Sequence, residues 1–99
     1  MNIVITYDVN NKNKKLKDKL TLEGFFDFYR SNELNIHYLP DTTLISHRYS
    51  TLEEVQNVFE KIIEELNVGV IREVDITRAT HFTAFEVIKP VGIPGEAHT

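Results

Sequence analysis

An almost unbroken run of apolar and β-branched residues at positions 2–9, "NIVITYDV", constrains the fold more than any other part of the chain. Such a run predicts a central β-strand that is covered on both faces. Alternate side chains of a strand point to opposite faces. One face then carries Ile3, Ile5, Tyr7 and Val9, and the more polar face carries Val4, Thr6 and Asp8.

Two helices are expected. Residues 10–24 predict a lysine-rich helix that ends at Gly24, and the aromatic segment 25–30 then folds back as a turn or short helix. Residues 50–67 carry apolar side chains at steps of three and four, which is the pattern of an amphipathic helix. Ser50 with Glu53, or Thr51 with Glu54, has the spacing of a capping box at its start.

Four further strands are expected from their β-branched and aromatic content. They are the segments 34–39, 42–49, 68–76 and 81–88, with a hairpin turn at Pro40 and Asp41 between the first two. The order β-α-β-β-α-β plus one strand predicts an α+β fold, a ferredoxin-like βαββαβ sandwich with an additional C-terminal strand. Residues 1–89 form a single domain in this reading, and residues 90–99 form a flexible tail rich in Pro and Gly.

In a ferredoxin-like sheet the first and third strands are parallel neighbours, so their carboxyl ends lie at one edge. This arrangement predicts that Asp8 lies near Ser46, His47 and Arg48, beside the start of the first helix. For Asp8 two interpretations stay open. The carboxylate either accepts backbone N–H groups where the helix begins, or it takes part in chemistry at the sheet edge.

Composition narrows the classes of function. The 99 residues include no cysteine, which excludes disulfides and thiolate chemistry, and no apolar run is long enough to span a membrane. We therefore expect a cytoplasmic protein. The net charge of −4 conceals a segregation, because five lysines and one acid lie in residues 10–20. Such a segment either faces solvent or binds phosphate. The histidines have no metal-ligand spacing, and there is no glycine-rich phosphate loop.

Several segments resemble the CRISPR-associated endoribonuclease-like family. They are the strand ending "ITYD", the turn and strand "YLPDTTLISH", the glutamate-rich second helix, and "VIREVDI" followed by a short C-terminal strand. The resemblance implies a face-to-face homodimer in which the last strand extends the partner's sheet. It also implies nucleic-acid binding and, in some members, a divalent-metal nuclease that uses Asp8. Other members are inactive adaptors.

The sequence therefore predicts a homodimer that binds RNA or DNA and acts as a metal-dependent endonuclease. Mg²⁺ or Mn²⁺ would be held by Asp8 from both chains, because one carboxylate holds such an ion weakly. Residues 81–88 would reach across to the other subunit. The expected phosphate-binding residues are Lys12, Lys14, Lys15 and Arg48, and the expected assisting residues are Asn10, Ser46 and His47. The alternative is a non-catalytic adaptor or a phage- or defence-related regulator that docks on a protein partner.

Overall fold

The strand β1 (Ile3–Val9) lies at the centre of a three-stranded antiparallel sheet, between β4 (Thr43–Ser46) and β5 (Ala79–Glu86). The coordinates are a computed structural model that describes residues 1–30, 35–87 and 93–94. The remaining described elements are α1 (Asn13–Leu22), β2 (Phe28–Arg30), β3 (Ile36–Tyr38), α2 (Leu52–Leu66), a 3₁₀ turn (Glu73–Asp75) and β6 (Ile93–Pro94). β2 lies between β3 and β6 in a second small sheet.

Both helices cover the same face of the main sheet. The odd-numbered side chains Ile3, Ile5 and Tyr7 of β1 are almost fully buried. They share one core with side chains of the two helices, which are Leu16 and Leu20 of α1 and Val55, Phe59, Ile62 and Leu66 of α2. Burying apolar side chains of this size contributes about 1.5–3 kcal/mol each. The expected α+β class, with two helices and antiparallel sheets, is confirmed.

The second helix follows its sequence pattern closely. Thr51 caps it, since its Oγ1 accepts a hydrogen bond of 3.1 Å from the backbone N–H of Glu54. The first helix ends at Leu22, just before Gly24, whose φ of +93° disfavours any other residue. A Cβ at Gly24 would also lie 2.8 Å from Cδ of Arg48.

The strand next to β1 runs in the opposite direction to the one expected. Ser46 is paired with Ile3, and Thr43 is paired with Thr6, so β4 is antiparallel to β1. The reason is that β2 and β3 pair with each other instead of joining the main sheet. The chain therefore returns to β1 at its Thr6 end, through a turn closed by Thr43 N–H donating to Pro40 O at 3.0 Å.

Three other expectations need correction. Residues 68–76 are not a strand, because β5 occupies the edge of β1 that such a strand would need. The segment 25–30 contains β2 instead of a turn or helix. The strand expected at 81–88 begins two residues earlier, as β5 (Ala79–Glu86), and it pairs with β1 of its own chain at every residue except Thr80.

The chain's end is described in part. Ile93 and Pro94 form β6 and pair with Arg30 and Tyr29 of β2, so at least this part of the expected tail 90–99 is a strand. The rest of that tail lies outside the described residues, as do positions 34 and 88 of the expected strands. In the described part of the chain, no helix has the length and apolar character needed to cross a membrane.

Candidate functional site

Asp8 and His81 lie directly opposite each other in the β1–β5 ladder. Both side chains are exposed, and both lie on the outer face of the sheet, which points away from the helices. The two residues are 73 positions apart in the chain, and only the register of the two strands brings them together. We call the group formed by Asp8, His81, Thr6 and Thr83 the Asp8–His81 site.

Two threonine hydroxyls hold the His81 ring. Nε2 of His81 lies 3.2 Å from Oγ1 of Thr6 and 3.2 Å from Oγ1 of Thr83. Thr6 and Thr83 are themselves cross-strand partners on the same face. A histidine whose Nε2 is fixed in this way keeps Nδ1 for a ligand. The site therefore sets a carboxylate and an oriented imidazole on neighbouring strands of one face, with no hydrogen bond or ion pair between these two described side chains.

Asp8 differs from the other four aspartates of the chain. Each of those forms an ion pair with a lysine or arginine at 3.1–3.8 Å: Asp18 with Lys14, Asp27 and Asp41 with Lys17, and Asp75 with Arg72. Within the described residues, the Asp8 carboxylate forms no ion pair or hydrogen bond of this kind. It does not cap the first helix either, because the N-cap position of α1 is Lys12 and no side chain caps it there.

The two asparagines after β1 hold the connection that leads into β5. Asn10 accepts a hydrogen bond from Arg78 N–H at 2.7 Å and donates one to Ile76 O at 2.8 Å. Asn11 accepts one from the hydroxyl of Thr77 at 2.6 Å. Asn10, which the sequence suggested as an assisting residue, is therefore engaged in holding the backbone beside the site.

Thr77 is the buried centre of this connection. Its backbone N–H donates to Oδ1 of Asn67 at 2.7 Å, and its carbonyl accepts from Nδ2 of Asn67 at 2.9 Å. With the Asn11 bond, all three polar groups of this almost fully buried residue are satisfied by side chains. The end of α2 is thereby fixed to the start of β5, which places His81.

The expected phosphate-binding lysines divide into two kinds. Lys12 is partly buried, and its Nζ donates a hydrogen bond of 2.9 Å to the carbonyl of Leu66 at the end of α2. A cation is favourable there because the last carbonyls of a helix carry partial negative charge. Lys14 and Lys15 are exposed, and among the described residues Lys14 has only a long ion pair with Asp18, at 3.7 Å. Lys14 and Lys15 are free to meet a ligand, whereas Lys12 stabilises the fold.

The residues after β4 lie far from Asp8. Ser46 is paired with Ile3, so five residues of β1, roughly 17 Å, separate it from the level of Asp8. The buried Ser46 hydroxyl accepts a hydrogen bond from Arg48 N–H at 3.2 Å, and the Arg48 guanidinium lies 5.9 Å from the Tyr49 ring centroid. The expectation that Ser46, His47 and Arg48 join Asp8 is wrong, because β4 is antiparallel.

Few of the described side chains near Asp8 could act as ligands of a metal ion. No group of three or more His, Cys, Asp or Glu side chains among the described residues could hold one. The Asp8–His81 site brings one carboxylate and one imidazole, with two hydroxyls beside them. That set suits an ion such as Mg²⁺ or Mn²⁺ only if water and substrate oxygens supply most of its ligands.

An apolar row crosses the outer face at the other end of the sheet. Phe85, Val4, Ile45 and Phe26 are successive cross-strand partners. The row continues into the second sheet, where the rings of Phe26 and Phe28 lie 5.9 Å apart and those of Phe28 and Tyr38 lie 6.2 Å apart. Phe25, by contrast, is buried and stacks on Tyr49 at 5.5 Å, as a core residue.

Sequence reasoning missed His81, Thr6 and Thr83. The signal that could have found them is the pairing of "VITYD" with "HFTAF" in antiparallel register, which sets Asp against His and Thr against Thr. Comparisons of the chain with protein-family models, with curated proteins and with solved structures find no significant match.

Proposed function

We propose that this protein binds nucleic acid, RNA or DNA, at the end of the sheet that carries Asp8, and that it hydrolyses phosphodiester bonds there. The observation that carries the proposal is the exposed Asp8 carboxylate, which is unpaired among the described residues and lies opposite His81. A carboxylate without a structural role, next to an oriented imidazole, is a typical pair for acid–base or metal-assisted chemistry.

Basic side chains near this end supply the attraction for phosphate. Arg78 lies beside the site, because its carbonyl accepts the N–H of Asn10 at 3.2 Å; its side chain is 57% exposed and forms a long ion pair with Glu73, at 3.7 Å. Lys14 and Lys15 lie on the first helix, which begins four residues after β1 ends. Contacts of this kind are charge-driven and do not depend on base sequence.

Each member of the site has a defined task in this proposal. Asp8 would bind Mg²⁺ or Mn²⁺ together with water and phosphate oxygens. A bound ion of this kind would polarise the phosphodiester and lower the pKa of the attacking water. His81 would move a proton at Nδ1, and Thr6 and Thr83 would keep its ring in place.

The proposal keeps the endonuclease type that the sequence resembles, with a homodimer in the cytoplasm as its working form. Two helices on one face of an antiparallel sheet support a ferredoxin-like sandwich with an additional strand as the description of the fold. The antiparallel pairing of β4 with β1 is a departure from it.

One observation favours a second function, that of a non-catalytic adaptor or defence-related regulator. The apolar row on the outer face leaves Phe85 45% exposed and Tyr38 75% exposed, which suits contact with a protein partner. An adaptor of this kind would need neither the Asp8 carboxylate nor a metal ion.

The test is binding of fluorescein-labelled single-stranded RNA and DNA, followed by anisotropy in low salt with Mn²⁺ or with chelator. We expect binding that tightens several-fold with Mn²⁺, and Asp8→Asn should remove only that gain. Asp18→Asn is the matched control for the gain with Mn²⁺, which it should retain, since Asp18 is also exposed; its affinity in chelator should rise slightly, because the change releases Lys14. Absence of binding to either nucleic acid would overturn the proposal in favour of the adaptor.

A further inference from the structure

The two edge strands of the main sheet differ in whether another segment bonds to their outer side. At the β4 edge, Phe26 and Ile45 exchange two backbone hydrogen bonds of 2.8 Å, which occupy that edge. At the other edge, β5 has β1 on one side and no neighbouring strand on the other among residues 1–30, 35–87 and 93–94. An open strand edge is a template for pairing with another chain.

β5 carries little of the usual protection of an edge strand. Its eight residues include no lysine and no proline, and Glu86 at its end is the only carboxylate. Charged side chains, prolines and short length are the devices that keep exposed edges from pairing. A bulge opposite Asp8 and Val9 disturbs only the start of β5, so residues 81–86 form a regular ladder.

Alternate residues of β5 point their backbone N–H and C=O groups away from β1, toward the open edge. Val87 donates its N–H to Asn2 O at 2.8 Å, and bonded and non-bonded pairs alternate in an antiparallel ladder. It follows that Thr83 and Phe85 bond to β1, whereas Phe82 and Ala84 turn their N–H and C=O groups away from it. The open edge therefore offers donors and acceptors at Phe82 and Ala84.

An apolar groove follows this edge on the helix side of the sheet. It has a volume of about 310 Å³ and lies between α2 and β5, and its lining residues are Gln56, Phe59, Glu60, Ile63, Ala79 and Phe82. The ring centroids of two of these lining residues, Phe59 and Phe82, lie 4.3 Å apart. A strand added to β5 would place every second side chain beside this groove.

We propose that the strand added there is β5 of a second copy, antiparallel and centred on Thr83. In this register Thr83 lies opposite Thr83 of the second copy, and Phe82 lies opposite Ala84, which packs a large side chain against a small one above the groove. On the outer face His81 lies opposite Phe85. The outward groups of Phe82 and Ala84 then bond to each other, and no like charges meet.

The neighbouring registers are less favourable. Centring the pair on Ala84 sets the Glu86 carboxylate against the Phe82 ring beside an apolar groove, where a charge loses hydration. Centring it on Phe82 sets two large rings against each other and brings the bulge at Thr80 into the ladder. The register centred on Thr83 keeps Glu86 away from Phe82 and leaves Thr80 at the end of the ladder, opposite Glu86 of the second copy.

The result is one continuous six-stranded sheet, in which both Asp8–His81 sites lie on the same face. Three strand spacings and four residues along the strands separate the two Asp8 residues, roughly 20 Å. Each site therefore works with its own ion, instead of the shared ion expected from the sequence. This geometry specifies the homodimer of the proposed function, and it does not depend on nucleic-acid binding.

Disulfide trapping tests the register, because the native chain contains no cysteine. Thr83→Cys should form a reducible dimer under mild oxidation, since non-bonded antiparallel pairs bring Cβ atoms within disulfide range. His81→Cys and Phe85→Cys should each remain uncrosslinked alone and should crosslink when mixed. The wild-type chain should sediment at twice the mass of the 11.5 kDa monomer at micromolar concentration.

The variant Ala84→Pro tests the proposed dimer edge independently of disulfide trapping. Proline removes an outward N–H but none of the bonds between β1 and β5, so the variant should fold, as circular dichroism would show, and sediment as a monomer. A wild-type monomer would overturn the homodimer altogether. A wild-type dimer whose Thr83→Cys variant does not crosslink, or one that Ala84→Pro leaves intact, would overturn this edge and register alone. Loss of nucleic-acid binding would bear only on the proposed function.

Discussion

Asp8 faces His81 across the β1–β5 ladder, and the hydroxyls of Thr6 and Thr83 hold Nε2 of His81 at 3.2 Å. Two strands from opposite ends of the chain are needed to form this arrangement. The aspartate ends a buried strand, while the histidine lies on a strand with an open edge. The site therefore combines a rigid support on one side with access from solvent on the other.

His81→Gln tests the imidazole. We expect the rate of phosphodiester cleavage to fall at least tenfold, because a positioned acid–base group contributes about 10²–10⁴-fold. The free energy of unfolding should change by less than about 0.5 kcal/mol, since the side chain is exposed. His47→Gln is the control, because His47 is also exposed but lies at the opposite end of the sheet. Equal cleavage rates for the two variants would remove His81 from the site.

Two variants separate the expected binding role of Lys14 and Lys15 from the structural role of Lys12. Lys14→Gln with Lys15→Gln should weaken nucleic-acid binding and lower the slope of log affinity against log salt by about 0.7–0.9 for each phosphate that is no longer neutralised. Lys12→Gln should instead lower the free energy of unfolding by about 1 kcal/mol, because it removes the bond to Leu66 O. Salt titrations and urea denaturation measure the two effects. A salt slope that the double variant leaves unchanged would show that Lys14 and Lys15 only face solvent.

Asn67→Ala tests the support behind β5. The substitution leaves the buried N–H and C=O of Thr77 without their partners, so we expect a loss of about 2–4 kcal/mol in the free energy of unfolding. Asn57→Ala, at an exposed position inside α2, should not lower it, because Ala has the higher helix propensity. Urea denaturation decides between them, and a small effect at Asn67 would mean that water replaces its hydrogen bonds.

Tyr7 gives the fold a pH dependence in the alkaline range. Burial, with a smaller effect of the Asp41 carboxylate, raises the pKa of Tyr7 from 10.0 to about 12. Below about pH 10 the phenol is neutral in both the folded and the unfolded chain, so it contributes no difference. Between about pH 10 and 12 only the unfolded chain ionises, and the free energy of unfolding falls.

We therefore expect the wild-type chain to lose about 2 kcal/mol more than Tyr7→Phe between about pH 9 and pH 12. At neutral pH the variant should be as stable as the wild type or more so, because the buried hydroxyl has no hydrogen-bond partner in the described structure. Urea denaturation at the two pH values measures both effects. Identical losses in wild type and variant would show that Tyr7 ionises as easily in the folded chain as in the unfolded one.

Local patterns in the sequence predicted the parts of the fold that depend on local physics. The apolar spacing and the Thr51 cap located the second helix, and the apolar run located β1. Residues 68–76 alternate like a strand, but alternation does not show whether a neighbouring edge is available, and β5 takes the edge of β1. Ile71 is 96% exposed as a result.

Prediction of the candidate site was limited in the same way, because local patterns do not show how strands pair. Asp8 was found because its position at the end of a strand can be read from the chain itself. His81 was missed because no local pattern marks it: its nearness to Asp8 depends on the register of two strands from opposite ends of the sequence. Ser46, His47 and Arg48 were placed beside Asp8 only by assuming a parallel neighbour, and reversing that strand separates them.

Metal-dependent cleavage is the decisive measurement for the Asp8–His81 site. Labelled single-stranded RNA and DNA would be incubated with the wild-type chain, Asp8→Asn and Asp18→Asn, each with Mn²⁺, with Mg²⁺ or with chelator. We expect cleavage by the wild type and by Asp18→Asn only when a metal ion is present, and none by a correctly folded Asp8→Asn. Cleavage that continues in chelator, or that Asp8→Asn retains in full, would contradict the assignment of Asp8 and His81 as the functional site.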